Sequence, residues 1–371
     1  MQVPPRLVSY IVLTGGPCAG KSTAIAVARQ YLEDRGMKVV VASETATELI
    51  TSGFSPTHGW RDLIRFQSYL LRFLLIKEDL YAEMLRAQET SKPLVVLCDR
   101  GALDAVAYVG KSTFLVVARL QHTTIPQLLE RYSAVIHMVT AADGAEAFYT
   151  TENNSARLET PAQARALDAL TLNAWAGHQH LTIVNNATNF DRKIGRVLTA
   201  LTRTLHMPTP LEKERKFQFL NWNESFLPVD AVKIEIVQTY LKKGESGEER
   251  RVRMRTLDGS HSYYYTEKTE TGEKGIREEK ERQISVEEYN VRLQEMDPMT
   301  ESILKTRYCF RYGGHMLEVD VYQKPVSDLV IVEVEVGEMS DAVLFPDEWK
   351  LSEVTGKLEY KNRSIAEGSL G

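Results

Sequence analysis

The sequence predicts an α/β domain with a parallel sheet, followed by an α+β domain whose antiparallel strands close into a barrel. Up to about residue 205, short apolar runs alternate with longer helical stretches, a pattern typical of parallel sheets. Residues 206–210 contain two prolines and no apolar periodicity, which indicates a boundary. Beyond it, charged and apolar residues alternate as in antiparallel strands. We therefore expect domains at 1–207 and 208–371.

The composition is that of a globular protein with real cores. Of 371 residues, 43% are hydrophobic and 26% charged, and the net charge of −5 argues against a general nucleic-acid binder. The three cysteines have no disulfide or metal spacing, which favours a reducing compartment. No apolar run is long enough to span a bilayer, and no signal-peptide pattern opens the chain. The expected location is cytoplasmic.

The stretch 15–22 reads G-x-x-x-x-G-K-S and lies between an apolar strand and a helix. This is the pattern of a phosphate-binding P-loop, whose backbone N–H groups surround an anion at a helix N-terminus. Lys21 is expected to reach the β- and γ-phosphates, and the Ser22 hydroxyl to bind Mg²⁺. The motif predicts ATP or GTP without selecting between them. The expected nucleotide-binding residues are Gly15, Gly16, Pro17, Cys18, Ala19, Gly20, Lys21, Ser22 and Thr23.

Candidate catalytic residues follow the predicted strands, which are 10–14, 38–42, 94–98, 134–139 and 181–184. Glu44 is either a base for an attacking hydroxyl or an acid that complements a helix dipole. Asp99 is expected to hold Mg²⁺ through water. Arg157 lies in a polar stretch that is either a lid aimed at the transferred phosphate or an ordinary solvated loop. With Lys21, these three residues form the expected catalytic set.

In the second half, charged residues of both signs occupy every second position in many of the predicted strands. Lys305 and Arg307 flank apolar positions in this way, and so do Glu333 and Glu335. One interpretation is a set of strands with one solvated face. The other is a closed barrel whose charged face lines a lumen. In that case basic side chains would bind a polyphosphate, and glutamates would bind Mg²⁺ or Mn²⁺.

The order of these charged strings resembles the CYTH or triphosphate tunnel family across residues 211–365. The strings are E-x-E-x-K at 212–216, R-V-R at 251–253, T-E-K at 266–268, R-E-E-K-E at 277–281, K-T-R at 305–307 and E-V-E at 333–335. The resemblance implies metal roles for Glu212, Glu214, Glu333 and Glu335. It implies phosphate roles for Lys216, Arg251, Arg253, Lys268, Arg277, Lys305 and Arg307.

The first half resembles AAA-type P-loop ATPase domains related to nicotinamide riboside and deoxynucleoside kinases. The P-loop, E-T-A-T at 44–47 and D-R-G-A-L-D at 99–104 carry this resemblance. The fusion of the two halves resembles the TRPL translocation defect protein family. That resemblance implies binding of GTP and phosphoinositides.

Two classes of function remain open. In the first, the P-loop half hydrolyses a nucleoside triphosphate or phosphorylates a small hydroxyl acceptor as a nucleoside kinase does, and the tunnel is a metal-dependent triphosphatase. In the second, the chain is a nucleotide-switched module whose lumen binds a polyphosphate or a phosphoinositide head group, with peripheral contact at a membrane. The paired glutamates favour the enzyme, and the family resemblance favours the switch.

Overall fold

The computed structural model describes residues 7–55, 59–88, 90–149, 159–205, 207, 209–210, 213–244, 247–270, 276–336 and 339–368. The chain divides into two compact units, Met1–Leu205 and His206–Gly371, called unit 1 and unit 2.

Unit 1 contains a five-stranded parallel sheet, which confirms the expected α/β class. The strands are β1 (Val8–Thr14), β2 (Lys38–Ala42), β3 (Leu94–Asp99), β4 (Ala134–Met138) and β5 (Leu181–Val184), in the order β2-β3-β1-β4-β5. The central strand is a continuous apolar run, and Ile11, Val12 and Leu13 are fully buried. Such runs are typical of strands covered by helices on both faces. The loop after β1 therefore lies at the middle of the carboxyl edge of the sheet.

Helices connect the strands of unit 1. They are α1 (Lys21–Asp34), α2 (Thr45–Thr51), α3 (Trp60–Arg86), α4 (Ala105–Val109), α5 (Lys111–Leu120), α6 (Ile125–Glu130), α7 (Pro161–Ala174) and α8 (Phe190–Thr204). Local sequence determines where several of them begin. At α7, for example, Thr160 and Gln163 form a capping box that satisfies two backbone N–H groups, and proline occupies the first turn.

Unit 2 is built on one ten-stranded antiparallel sheet. Its strands are β6 (Thr209–Pro210), β7 (Glu214–Phe219), β8 (Val232–Leu241), β9 (Glu249–Leu257), β10 (Ser260–Glu270), β11 (Ile276–Ile284), β12 (Ile303–Tyr312), β13 (His315–Lys324), β14 (Val330–Glu335) and β15 (Leu351–Glu353). The order across the sheet is β15-β7-β14-β13-β12-β8-β9-β10-β11-β6. Two short helices complete the unit, α9 (Val286–Leu293) and α10 (Asn362–Ala366).

Chain continuity requires this sheet to curl. Strand β6 lies at one edge beside β11, whereas β7 lies next to the opposite edge strand. Pro210 and Glu214 are only four residues apart, so their Cα atoms lie within about 14 Å of each other. Among the described residues no ladder of hydrogen bonds joins the two edges. The structure thus shows a strongly curved antiparallel sheet, and the expected closure into a barrel is not seen as strand pairing.

The two faces of the curved sheet differ sharply. An aromatic and aliphatic core covers one face and includes Phe217, Phe219, Phe310, Leu317, Val332 and Trp349. The opposite face carries the charged residues of the same strands. At one end of that charged face, Tyr240, Ile303 and Tyr322 pack with Ile365 of α10. The C-terminal segment therefore covers part of the face opposite the main core.

Within the described ranges, no helix combines the length and the apolar character that crossing a membrane requires.

Candidate functional site

The loop between β1 and α1 has backbone angles that only glycine adopts readily. Gly15 has φ +139° and Gly20 has φ +87°. A Cβ on Gly15 would lie 2.0 Å from the Met138 carbonyl oxygen, and one on Gly20 would lie 2.6 Å from the Phe190 ring. Close packing against β4 and α8 and positive φ thus both require glycine here. The loop is held tightly around the start of α1.

Lys21 folds back over this loop. Its ammonium donates to the carbonyl oxygens of Gly15, at 3.1 Å, and Gly16, at 2.9 Å. Burial and then the nearby Arg100 guanidinium lower the pKa of Lys21 to about 7, although Asp99 and Glu44 act in the opposite direction. The nearby carboxylates therefore do not fully offset the charge of this ammonium, and we call such a cation underneutralised. An anion in the loop would stabilise its charge.

Arg100 joins the candidate acid Glu44 and a second carboxylate, Asp104, to the loop. Its Nε lies 2.6 Å from Glu44 Oε1, and its Nη1 lies 3.2 Å from Asp104 Oδ2 and donates to the Gly15 carbonyl at 3.4 Å. Burial alone would raise the pKa of Glu44, but attraction by Arg100 holds it below its ordinary value. Burial raises the pKa of Asp99, against the charge of Lys21.

Asp104 supports this arrangement without facing a ligand. One carboxylate oxygen accepts from Thr14 Oγ1 at 2.6 Å, and the other accepts from Trp175 Nε1 at 2.6 Å. Asp104 is almost fully buried. It therefore ties Arg100 to β1 and to the segment after α7.

Asp168, on α7, was missed by the sequence analysis. Its Oδ1 accepts from the backbone N–H groups of Gly16, at 2.7 Å, and Thr140, at 3.1 Å, and lies 3.2 Å from His137 Nε2. Burial opposes ionisation, but these partners, His137 first, hold the pKa of Asp168 below its ordinary value. Its only local signal is an acid on the buried side of α7. The partners are far away in sequence, so no motif reveals them.

Lys193, on α8, was also missed. Its ammonium donates to Ala19 O at 3.1 Å, Val139 O at 2.7 Å and Asn186 Oδ1 at 2.7 Å. Burial lowers the pKa of Lys193 to about 8, with Asp168 opposing that shift. Lys193 and Asp168 thus hold the phosphate loop to the residues that follow β4 and β5. The signal was a lysine on the buried face of a strongly amphipathic helix.

The residues expected to hold Mg²⁺ in unit 1 have suitable chemistry. Ser22 lies exposed in the first turn of α1, and Asp99 ends β3 close enough to Lys21 for its charge to raise the pKa of that lysine. A hydroxyl and a carboxylate are the oxygen donors that Mg²⁺ takes alongside phosphate oxygens. Thr23 is likewise exposed. Arg157 and most of the predicted lid lie outside the described residues.

In unit 2, strand register places the expected phosphate and metal residues on one face. Glu333 lies opposite Lys216, and Arg307 lies opposite Asp320. Arg253 lies between Gln238 and Tyr264 on the neighbouring strands. Because alternate residues share a face, the charged strings of seven strands meet on the side away from the main core.

Acids neutralise most of the basic residues on that face. Arg307 Nη2 lies 2.6 Å from both Asp320 Oδ2 and Glu333 Oε2, and Arg307 also pairs with Glu318. Lys305 Nζ lies 2.5 Å from the same Asp320 oxygen. Although burial alone would act the other way, the pKa of Arg307 is raised by Asp320 and its other partners.

Lys216 forms a second cluster with two of the expected metal ligands. It pairs with Glu333, and its Nζ lies 3.2 Å from Glu214 Oε2. Burial opposes the charge of Lys216, but these two carboxylates raise its pKa above the ordinary value. The pKa of Glu333 falls well below its ordinary value because Lys216 and Arg307 outweigh the effect of burial.

Arg251 and Arg253 differ in how they are neutralised. Arg251 Nη2 lies 3.3 Å from Glu279 Oε1, and Lys268 pairs with the same glutamate at 2.8 Å. Within the described part of the chain, Arg253 donates to the neutral Gln238 Oε1, at 3.1 and 3.3 Å. Burial and then the neighbouring Arg251 lower the pKa of Arg253 to about 10, although Glu281 acts in the opposite direction. Among the described residues no carboxylate lies within ion-pair distance of Arg253.

The described carboxylates of unit 2 do not by themselves fit a resident metal ion. No three or more His, Cys, Asp or Glu side chains converge as a metal site in the part of the chain that the structure describes. Glu214 and Glu333 contact Lys216 instead, and Glu335 is exposed. Glu212 and the Arg277 side chain lie outside the described residues.

Comparisons with known proteins support the assignment of unit 1 to the P-loop class. Residues 10–193 match a family model described as an AAA domain. No curated protein sequence gave a significant match. The inorganic triphosphatase NE1496 is a similar solved structure, with 28% identity over 42% of this chain and 97% of that one and a TM-score of 0.33. A thymidylate kinase from Ehrlichia chaffeensis is 15% identical over 53% of this chain and 98% of that one, with a TM-score of 0.34.

Proposed function

We propose that unit 1 binds ATP or GTP with Mg²⁺ and hydrolyses the γ-phosphate. The observation that carries this proposal is Lys21, an underneutralised ammonium that donates to the carbonyl oxygens of Gly15 and Gly16 at the start of a 14-residue helix. The helix dipole and the loop N–H groups favour an anion at the same place. A triphosphate would supply the charge that Lys21 lacks.

Other residues of unit 1 then have defined roles. When Mg²⁺ is bound, Ser22 and Asp99 would hold it, and it would offset charge on the phosphates. Arg100 donates to a loop carbonyl and pairs with Glu44, so it fixes that carboxylate beside the loop. Asp168 and Lys193 hold the loop in position through hydrogen bonds to its backbone. Lys21 would stabilise the charge that develops on the transferred phosphoryl group.

Transfer to a small hydroxyl acceptor is the second candidate. The position of Glu44 favours it, because an ionised carboxylate next to the loop can accept a hydrogen bond from an attacking hydroxyl. The lowered pKa makes Glu44 a weak base. Phosphoryl transfer tolerates a weak base, because little proton transfer is needed before the bond to the leaving group loosens.

Steady-state phosphate release by the full chain, with Mg²⁺ and either ATP or GTP, tests the proposal for unit 1. If unit 1 is a hydrolase, it should release one phosphate per nucleotide consumed without an added acceptor. Lys21→Met should reduce the rate of this release at least 100-fold, the usual scale for an electrostatic contact to the transition state. Tight nucleotide binding without phosphate release would favour the kinase candidate. Unchanged nucleotide affinity in Lys21→Met would contradict the P-loop assignment.

For unit 2, we propose that the curved sheet closes into a barrel whose charged lumen binds a linear polyphosphate. The short link between β6 and β7 supports closure, since it brings the two edges of the sheet together. The observation that carries the ligand assignment is Arg253, a partly buried guanidinium whose described hydrogen-bond partner is a neutral amide. Three arginines, Arg251, Arg307 and Arg255, act on its charge against one acid, Glu281. A polyanion would neutralise this group.

Binding of inorganic triphosphate to the full chain tests this second part. We expect Arg253→Gln to weaken triphosphate binding at least tenfold, with nucleotide binding in unit 1 unchanged. Inositol phosphates serve as the comparison ligands, because phosphoinositide head groups carry the same charged groups on a ring. Preference for the ring compounds would favour the nucleotide-switched module instead. Equal affinity of the variant and the wild type for triphosphate would exclude Arg253 from the site.

A further inference from the structure

An exposed apolar stripe runs along α3, the longest helix of the described chain. It consists of Tyr69, Phe73, Ile76, Leu80 and Met84, whose exposed fractions range from 41% for Phe73 to 62% for Tyr69. Successive members are four, three, four and four residues apart, so they share one face of the helix. The stripe extends for about 22 Å at 1.5 Å per residue. Contiguous apolar surface of this kind marks an interaction site.

The charges beside the stripe are divided between the two halves of the helix. Helical geometry places Arg65, Arg72, Asp79 and Glu83 on one side of the stripe, and all four residues are exposed. With Arg61, the N-terminal half of this side carries three arginines, of which Arg65 has its Nη1 3.8 Å from Asp62 Oδ1. The C-terminal half carries the two acids and one arginine, Arg86. Asp79 also pairs with Arg131 of its own unit, and half of its side chain stays exposed.

This pattern is complementary to itself when two copies run antiparallel. Reversing the helix superposes Tyr69 on the position of Met84 and Phe73 on that of Leu80, with Ile76 next to the two-fold axis. The basic half of one flank then lies against the acidic half of the other. A two-fold dimer requires this self-complementarity, because the same patch serves both partners.

We propose that α3 is the seam of a homodimer in which two copies of this chain pair antiparallel through the stripe. A bilayer surface fits less well, because an interfacial helix needs a basic flank along its length, and two acids, Asp79 and Glu83, interrupt the C-terminal half of this flank. The inference is independent of the chemistry proposed for either unit. A single helix pair buries less than the roughly 800 Å² per partner of a standard interface, so we expect association at micromolar concentration.

Sedimentation of the full chain from low to high micromolar concentration tests the proposal. We expect a species of twice the 42.0 kDa chain mass, and we expect Ile76→Glu with Leu80→Glu to remain monomeric. Both side chains are exposed, so nucleotide binding serves as the check that the variant is folded. Thr199→Glu, on the exposed side of α8, is the matched control and should dimerise like the wild type. A wild-type chain that stays monomeric, or a dimer that survives the double substitution, would overturn the proposal.

Charge exchange tests the antiparallel arrangement itself. Arg65→Glu with Arg72→Glu makes the flank predominantly acidic, with four acids against Arg61 and Arg86, and Asp79→Lys with Glu83→Lys makes it basic throughout. Each variant alone should lose at least tenfold in self-affinity, and an equimolar mixture should form a heterodimer. A mixture that stays monomeric would contradict antiparallel pairing. Loss of flotation with phosphatidylserine vesicles in Ile76→Glu with Leu80→Glu, in a chain that sediments as a monomer, would assign the stripe to a membrane instead.

Discussion

We expect the ionisation of single residues in unit 1 to change when phosphates bind. Lys21 is the clearest case, since its pKa is lowered from 10.5 to about 7 in the free protein. Bound phosphates would add negative charge beside the ammonium and raise that pKa again. The protein would then take up a proton on binding whenever the pH lies between the two values.

Proton uptake is therefore a direct prediction. At a pH midway between 7 and 10.5, ATP is already fully ionised, and binding should take up a substantial fraction of one proton. Nucleotide affinity should accordingly fall as the pH rises through 7. Calorimetric titration in buffers of different ionisation enthalpy measures the uptake. Binding without proton uptake would show that the ammonium is already charged in the free protein.

A different prediction concerns Asp168, because we expect this residue to support the loop without contacting the nucleotide. Asp168→Ala leaves the N–H groups of Gly16 and Thr140 without their acceptor, so we expect a loss of about 1.5–3 kcal/mol in the free energy of unfolding. Since the folded-state pKa of Asp168 is lowered, its contribution is complete above the ordinary value of 3.8 and is lost as the pH falls through the folded value.

Urea unfolding at neutral and at acid pH measures this effect. The difference between wild type and Asp168→Ala should be large at neutral pH and shrink at acid pH. A difference of the same size at both values would mean that the carboxylate charge plays no part.

Lys21 and the loop were predictable because their signal lies within eight adjacent residues. Asp168 and Lys193 were not, because each meets the loop from a helix more than 150 residues away.

At the scale of elements, the phosphate loop depends on glycine for both space and conformation. Gly15→Ala would place a Cβ 2.0 Å from the Met138 carbonyl oxygen, so the loop must move away from β4. We expect at least a tenfold loss of nucleotide affinity, because the loop N–H groups would no longer converge. Titration with ATP measures it.

Gly36→Ala is the matched control for that experiment. Gly36 also has positive φ, +81°, but a Cβ there has no heavy atom within 4 Å. We expect a stability cost of about 1 kcal/mol and unchanged nucleotide affinity. If both variants lose affinity equally, backbone strain alone accounts for the effect and the close approach to β4 is irrelevant.

The strands of unit 2 show what periodicity can and cannot reveal. Alternation placed Lys305, Arg307, Glu333 and Lys216 on one face, and the register agrees. It could not show that Arg307 would be bound by three acids while no described carboxylate pairs with Arg253, because those pairs join separate strands. Strand order supplies that information.

This contrast predicts opposite effects on stability. Arg307→Met leaves Asp320, Glu318 and Glu333 short of a partner, so we expect a loss of about 3–5 kcal/mol. Arg253→Met removes an underneutralised charge, so stability should be unchanged or higher while triphosphate binding is lost. Urea unfolding of the two variants measures their free energies of unfolding and tests this prediction. A strongly destabilised Arg253→Met would mean that Arg253 serves the fold.

At the scale of the whole molecule, the chain joins two units that each contain an underneutralised cation, which we propose binds an anion. In unit 1 that cation is Lys21, and in unit 2 it is Arg253. The division into units followed from the change in sequence texture near residue 206. The sequence also predicted that the second sheet curls, but it did not predict which strands become neighbours.

The most direct test is a double comparison by calorimetric titration of the full chain. Wild type, Lys21→Met and Arg253→Gln are each titrated with ATP plus Mg²⁺ and with inorganic triphosphate. Two separate phosphate sites predict that Lys21→Met loses the nucleotide and keeps triphosphate, and that Arg253→Gln does the reverse. If either substitution removes both ligands, or if Arg253→Gln changes neither, the chain does not hold two independent phosphate sites.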